Sequence, residues 1–267
     1  LPGSDNVTVT GNLIATTNAN SGVINMGTLK VDGTMALTTH GDGDATVVNM
    51  DDDIDFANST VRGDLIATST TGNIIDTGIL TISGTSTFTT SQSNDDITLG
   101  SVNVFTGAVT LNTSGSTGHA VVDNGTTALI IAASTVGGDL TLTSGAAAGI
   151  TDSDNVTVTG NLVATTNANS GVIDLGTTTV TGTMDLTTHG TGNATIDNAT
   201  TDIVLIASEV GGTLTLRTGA AAGITDTDTV TVGVNLVATT DSNSGVIDLG
   251  TTAVTGTVAL TTNGTGN

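Results

Sequence analysis

Ser153-Asp154-Asn155-Val156-Thr157-Val158-Thr159-Gly160 repeats, residue for residue, the stretch Ser4-Asp5-Asn6-Val7-Thr8-Val9-Thr10-Gly11, at an offset of 149. Within it apolar and polar residues alternate, as they do in Leu140-Thr141-Leu142-Thr143; that is the period-2 signature of a strand with one buried face. Self-similarity at a set period dictates a fold more strongly than local propensity does. Two further matches set the period: the stretch from Gly145 to Asp152 recurs from Gly219 to Asp226, and that from Ser170 to Gly176 recurs from Ser244 to Gly250, both at an offset of 74. An offset of 74 therefore marks one long repeat, and 149 is close to two of them.

A finer unit lies inside it. The pattern apolar-x-Gly-x-(apolar or Ser) marks Gly11, Gly33, Gly63, Gly84, Gly107, Gly138, Gly160, Gly182, Gly212 and Gly256, with Val234 standing in phase beside Gly233. Most successive landmarks differ in number by 21 to 23, and three intervals are 30 or 31. The repeat therefore reads as two coils of about 22 residues and one of about 30. Short strands recurring every 22 residues fit one coil of a parallel β-helix, in which each strand pairs with its counterpart in the next coil and like residues stack. The predicted fold is an all-β, right-handed parallel β-helix of about 11–12 coils, forming one solenoid over residues 1–267. At roughly 4.8 Å per coil this makes a rod of roughly 55 Å. Val7, Val9, Leu13, Val156, Val158, Leu162, Val230, Val232 and Leu236 are its expected interior, and the landmark glycines its corners, where backbone freedom is useful.

Composition agrees and excludes. The 267 residues include 36 Gly, one Pro, no Cys, Trp or Tyr, and three Phe (Phe56, Phe88, Phe105). Helix formers of the Glu/Lys/Arg type are nearly missing while Val, Ile and Thr abound. Three Lys+Arg against 25 Asp+Glu, a net charge of −22, argue against a nucleic-acid partner. Without cysteine there is no disulfide framework and no thiolate metal site. No apolar run approaches the roughly 20 residues of a membrane-spanning helix. Disorder by charge requires low hydrophobicity, and 36% hydrophobic residues in alternating order argue against it.

Three segments carry a resemblance: Val136-Gly-Gly-Asp-Leu-Thr-Leu-Thr-Ser144, Gly160-Asn-Leu-Val-Ala-Thr-Thr-Asn167, and Gly145-Ala-Ala-Ala-Gly-Ile-Thr-Asp152. They resemble the repeats of large bacterial exoproteins, the filamentous-haemagglutinin-like adhesins and related β-helix surface proteins. The resemblance implies export, an extracellular or cell-surface location, and an adhesive or spacer role. The chain shows neither a signal peptide nor an amino-terminal secretion domain, and is expected to be a segment or a mature subunit.

Candidate sites are few. His40 and His189 occupy equivalent Thr-Thr-His-Gly stretches and Asn263 takes the same place in the last copy, which suits a turn residue better than a ligand or catalytic base. His119 has no Ser or acid constellation beside it in sequence. The densest acidic group, Asp42, Asp44, Asp51, Asp52, Asp53 and Asp55, is a candidate weak Ca²⁺ site, set against the plainer reading of a solvated acidic loop. No other cofactor is expected. An enzyme acting on carbohydrate would need aromatic platforms, basic groups or a close carboxylate pair, and aromatics make up 1% of the chain, so no enzymatic activity is expected. Thr8/Thr10, Thr157/Thr159 and Thr229/Thr231 have the Thr-x-Thr spacing of an ice-binding solenoid face, the alternative function. The repeat runs to both termini. The part-coil from Gly256 to Asn267 and the part-coil from Leu1 to Gly11 together make one ordinary landmark interval, so the expected partner is the chain itself, stacked head to tail or continued in a longer rod, with a host or neighbouring-cell surface as a further candidate. The expected function is that of a structural or adhesive rod.

Overall fold

The structure, a computed structural model, describes residues 7–219, 221 and 223–265; Ser4, Asp5 and Asn6 of the first motif and Ala220 and Ala222 of a later one lie outside the described residues. The fold is all-β: parallel strands stack as a β-solenoid of about 11 turns with coils of about 22 residues. Among the described residues no helix is long and apolar enough to cross a membrane. The chain divides into two compact units, residues 1–129 with 135–138, and residues 130–134 with 139–267.

In the second unit the straight strands Leu140–Ser144, Leu162–Asn169 and Met184–His189 form one ladder, with Leu140 on Leu162 and Leu162 on Met184. The other half of each coil is bent, a pair of short strands such as Ile173–Leu175 and Thr178–Val180. Straight and bent halves alternate until Met184–His189, which is followed by a second straight strand, Ala194–Asp197, stacked on Ile173–Leu175. From there the ladders are exchanged. Leu214–Thr218, Leu236–Asn243 and Val258–Asn263 continue straight on the second ladder, while the bent pairs Ile203–Leu205 with Ser208–Val210 and Ile224–Asp226 with Val230–Val232 continue the first.

The first unit is built the same way. Thr34–Thr38 and Ala45–Asn49 are its successive straight strands, and Leu13–Thr16 and its copy Ser86–Ser93 lie in different ladders. Seven half-coils, or three and a half coils, therefore make one long repeat, so each copy starts on the opposite ladder from the one before it within the same unit.

This corrects the coil arithmetic read from the glycines. Paired residues are 20 (Ala45 with Leu65) to 23 apart (Ser86 with Val109) in the first unit, and 20 (Ala194 with Leu214) to 23 (Ile224 with Ile247) in the second; no described pairing spans 30. The long intervals arise where the landmark changes corner. Gly182 N–H donates to Gly160 O at one corner, and Gly212 N–H to Gly192 O at the other. The reason for glycine is also different. None of the landmark glycines has a positive φ; Gly33, Gly63, Gly84, Gly107, Gly138, Gly182, Gly212 and Gly256 are packed against the coil below, while Gly11 has open space. A Cβ at Gly84 would lie 2.6 Å from Gly63 O, and one at Gly33 2.7 Å from Gly11 O, closer than real side-chain carbons come.

The interior is the expected set. Val156, Val158, Leu162, Val230, Val232 and Leu236 are buried, while Val7, Val9 and Leu13 are half-buried. Along each ladder like stacks on like, as in Leu140, Leu162 and Met184 or Leu142, Ala164 and Leu186. Alternation then leaves Thr, Asn and Asp outward, which is why so light and polar a chain still encloses a continuous apolar core in each unit.

Candidate functional site

The recurring polar residues bind the next coil. Where an Asn or Asp follows a corner landmark, its side-chain oxygen turns upward: Asn12 Oδ1 accepts the Thr34 N–H at 3.0 Å, Asp64 Oδ1 that of Thr85 at 2.7 Å, Asn161 Oδ1 that of Thr183 at 2.9 Å and, after Val234, Asn235 Oδ1 that of Thr257 at 2.9 Å. At the end of several straight strands the second Thr of a Thr-Thr pair is buried and closes the turn that follows. Thr39 donates to Gly43 O at 2.6 Å, Thr166 to Gly171 O at 2.9 Å and Thr188 to Gly192 O at 2.7 Å.

The histidines belong to this scheme. His189 Nδ1 lies 2.8 Å from Thr166 O, and His40 Nδ1 makes the same contact with Thr17 O; because a carbonyl only accepts, Nδ1 carries the proton in both. Asn263 substitutes with its amide, Nδ2 donating to Thr240 O at 3.2 Å. The carbonyls of His40, Ser114, His189 and Asn263 in turn accept the N–H of Ser21, Asn94, Ser170 and Ser244. Those four residues hold left-handed φ values of 59°, 72°, 70° and 86° in the equivalent loop of successive repeats. His119 is anchored through its backbone, whose N–H donates to Asp96 Oδ1 at 2.7 Å.

The six candidate calcium ligands do not share one centre. Asp44 Oδ1 accepts the Asp64 N–H at 2.8 Å, Asp53 Oδ1 the Asn73 N–H at 2.7 Å, and Asp55 Oδ1 the Thr77 hydroxyl at 2.8 Å, so these carboxylates already serve the coil above. Asp52 Oδ1 caps its own neighbour, Asp53 N–H, at 2.9 Å, and Asp42 and Asp51 are exposed. Asp52, Asp53 and Asp55 share a shallow depression of about 220 Å³ with Asp32 and Asn12. Among the described residues no group of three or more His, Asp or Glu side chains is placed to hold a metal ion. The dispersal follows from the fold: Asp42 and Asp44 sit at a corner, Asp51 to Asp53 in a turn, and Asp55 on the outer face of the strand Ile54–Phe56.

A wider concavity of about 480 Å³ is lined by Ser153, Asp154, Asn155, Gly176, Thr177, Asp197 and Ala199 in the second unit. The three Thr-x-Thr pairs singled out by spacing do not build long Thr columns, although Thr16, Thr38, Thr60 and Thr81 stack over four coils elsewhere. Thr157 stacks on Thr179, but Thr8 meets Lys30, and Thr231 lies between Glu209 and Ala253.

Sequence reasoning passed over one recurring set of acids, Asp76, Asp152 and Asp226. Asp152 accepts from the N–H groups of Gly176 and Thr177 at 3.0 and 2.8 Å, and Asp226 from those of Gly250 and Thr251 at 2.8 and 3.0 Å. Asp76 does the same for Ser101 N–H. For Asp226 burial pushes the pKa up, but the hydrogen bonds from Thr251, Thr252 and Gly250 outweigh it, and the carboxyl is held below its ordinary value. The available signal was the recurrence of Ile-Thr-Asp at 150–152 and 224–226. Two of the three cations are similarly engaged: Arg217 bridges Asp197 below and Asp241 above, and Lys30 lies 3.9 Å from Asp32.

Residues 42–112 match a family model described as repeats of unknown function (DUF5649). The matched stretch is close in length to one long repeat. Nothing among curated proteins or solved structures matches the chain.

Proposed function

We propose that this chain is a non-enzymatic structural or adhesive β-solenoid segment of an extracellular bacterial surface protein or filament. The observation that carries the reading is where the recurring polar side chains go. Many of the Asn, Asp, Thr and His residues that recur between repeats are engaged by the coil above, the coil below or their own turn, as Asp226, Thr188 and His189 are, while the recurring Asp174 and Asp248 lie exposed. Residues kept for chemistry would converge on a substrate; these are placed to hold coils together. The acidic surface supports solubility, and its three Lys+Arg leave few sites for trypsin-like proteases, which suits exposure outside a cell. The repeat resemblance supports the surface setting, and self-association by coil stacking is the partnership proposed with it.

Negative-stain electron microscopy of the purified chain, together with retention of chain-coated beads on cell layers, tests the proposal. Long fibres or specific retention are the expected results. Dispersed short particles at every concentration, with beads no stickier than uncoated ones, would overturn it.

A further inference from the structure

The two ladders exchange roles once in each repeat, and a fully buried asparagine stands there every time: Asn49, Asn124 and Asn198, at successive offsets of 75 and 74. Asn49 is the last residue of the straight strand Ala45–Asn49, and Asn124 and Asn198 directly follow the straight strands Ala120–Asp123 and Ala194–Asp197. In the second unit the bent half-coil beneath ends in the short strand Thr178–Val180, which pairs with Val156–Val158 on one side and with no described strand on the other. Asn198 takes the missing strand's place. Its Oδ1 accepts the Val180 N–H at 2.7 Å and its Nδ2 donates to Val180 O at 2.9 Å, the two bonds a neighbouring peptide would make.

Asn124 treats Phe105 identically, at 2.7 and 3.0 Å, and Asn49 Oδ1 accepts the Val31 N–H at 3.0 Å. The same amides reach forward to their own turns, Asn49 to Asp52 O and Asp53 O, Asn124 to Ala128 O, Asn198 to Asp202 O. Burial alone does not make the device. Asn103 is equally buried and its Oδ1 accepts the Leu80 N–H at 2.8 Å, yet Leu80 opens its strand rather than ending one, Asn103 lies inside a bent half-coil and donates to the Asp76 carboxylate, and no exchange occurs there.

We infer that Asn49, Asn124 and Asn198 are phase switches: each side-chain amide ends the bent half-coil below it, so that the coil above can run straight and the two ladders change places. Each satisfies both sides at once, the last residue of the strand below (Val31, Phe105 or Val180) and the turn that leads into the next bent half. Without such a group, the Val31, Phe105 and Val180 amides would be buried with no acceptor, and the exchange would be disfavoured. The consequence reaches the surface. An odd number of half-coils per repeat carries the recurring loop of Ser170 and that of Ser244 on different ladders of one unit.

Amide hydrogen exchange on the whole chain tests this in two ways. In the unaltered protein the Val31, Phe105 and Val180 amides should be as slow as those inside the ladders; exchange at loop rates would overturn the inference. In Asn198→Leu, Val180 should exchange about tenfold faster or more, while Val156 to Val158 one coil below change little. An unchanged Val180, or an equal rise over every coil, would reduce Asn198 to an ordinary packing residue. If Asn198→Leu does not fold, Asn49→Leu read at Val31 in the first unit serves as the second variant, and the measurement on the unaltered chain decides independently of both.

Discussion

The first unit carries the chain's three phenylalanines and the second none, although the two are built from the same repeat. Phe56, Phe88 and Phe105 are buried in edge-to-face contact, with ring centroids 6.4 and 5.8 Å apart. Their counterparts at offsets of 149 or 150 are Leu205, Ala238 and Val254. The clearest trade is within one strand. Leu13-x-Ala15, Leu162-x-Ala164 and Leu236-x-Ala238 become Ser86-x-Phe88, a large residue moved two positions along the same inward face. The small Ser86 makes room for Phe88, and it carries the buried side-chain oxygen without a partner, Ser86 Oγ, among the described residues. A coil thus constrains total interior volume and leaves open which position supplies it.

The largest expected effect breaks that trade. Phe88→Ala should cost about 3–5 kcal/mol in thermal or chemical denaturation. Adding Ser86→Leu rebuilds the Leu-x-Ala pattern of the other copies and should recover most of the loss, whereas Ser86→Leu alone overpacks and should destabilise. Additive single and double mutants would refute the volume trade. The second test contrasts corners within the second unit. Gly182→Ala places a Cβ 2.6 Å from Gly160 C and should cost about 1–3 kcal/mol. Gly176 has nothing within 4 Å of the same atom, and Gly176→Ala should be neutral or slightly stabilising. Equal effects would show that the glycines serve backbone conformation after all.

Acid titration of stability should separate two carboxyls of the second unit. Asp226 has a lowered pKa, so its contribution is full above the ordinary carboxylate value of about 4 and is lost as pH falls through the lowered one. Asp226→Asn should flatten the acid limb of the stability curve. Asp185 has the opposite sign: burial raises its pKa and a Thr187 hydrogen bond offsets this in part, so stability is gained as pH falls through the raised value. Asp185→Thr should raise the melting temperature at pH 7 and leave it unchanged at pH 3. The smallest effect belongs to Arg217, exposed between Asp197 and Asp241. Arg217→Met should lower the melting temperature slightly at low salt and indistinguishably from wild type in about 1 M NaCl.

Much of this fold is legible in the residues. Val156-Thr157-Val158 shows a strand because alternation is local, and the match between residues 4–11 and 153–160 shows a repeat because stacked coils demand like residues in like places. His40, His189 and Asn263 read as turn residues, and their bonds to Thr17 O, Thr166 O and Thr240 O show why an imidazole and an amide are interchangeable there. The acidic group at 42–55 is dense in sequence but divided between a corner, a turn and a strand, which spacing along the chain does not reveal. The buried Asn49, Asn124 and Asn198 were hidden among many Asn residues in a chain where Asn usually marks an exposed turn.

Sequence alone determined the class and the period: small β-forming residues, alternation, and offsets of 74 and 149 leave a stacked parallel solenoid as the economical fold. Only the tertiary structure decided how the period is divided. A corner glycine is required wherever two turns stack closely, and that happens on either side of a coil. The longer landmark step from Gly182 to Gly212 therefore looks the same whether a coil lengthens or the corner changes. The pairing of Met184–His189 with what precedes it, and of Ala194–Asp197 with Ile173–Leu175, resolves the ambiguity in favour of seven half-coils. Registration between coils is a contact between residues far apart in sequence, such as Ala194 and Leu214, set by hydrogen bonds and interior volume, and no local pattern encodes it.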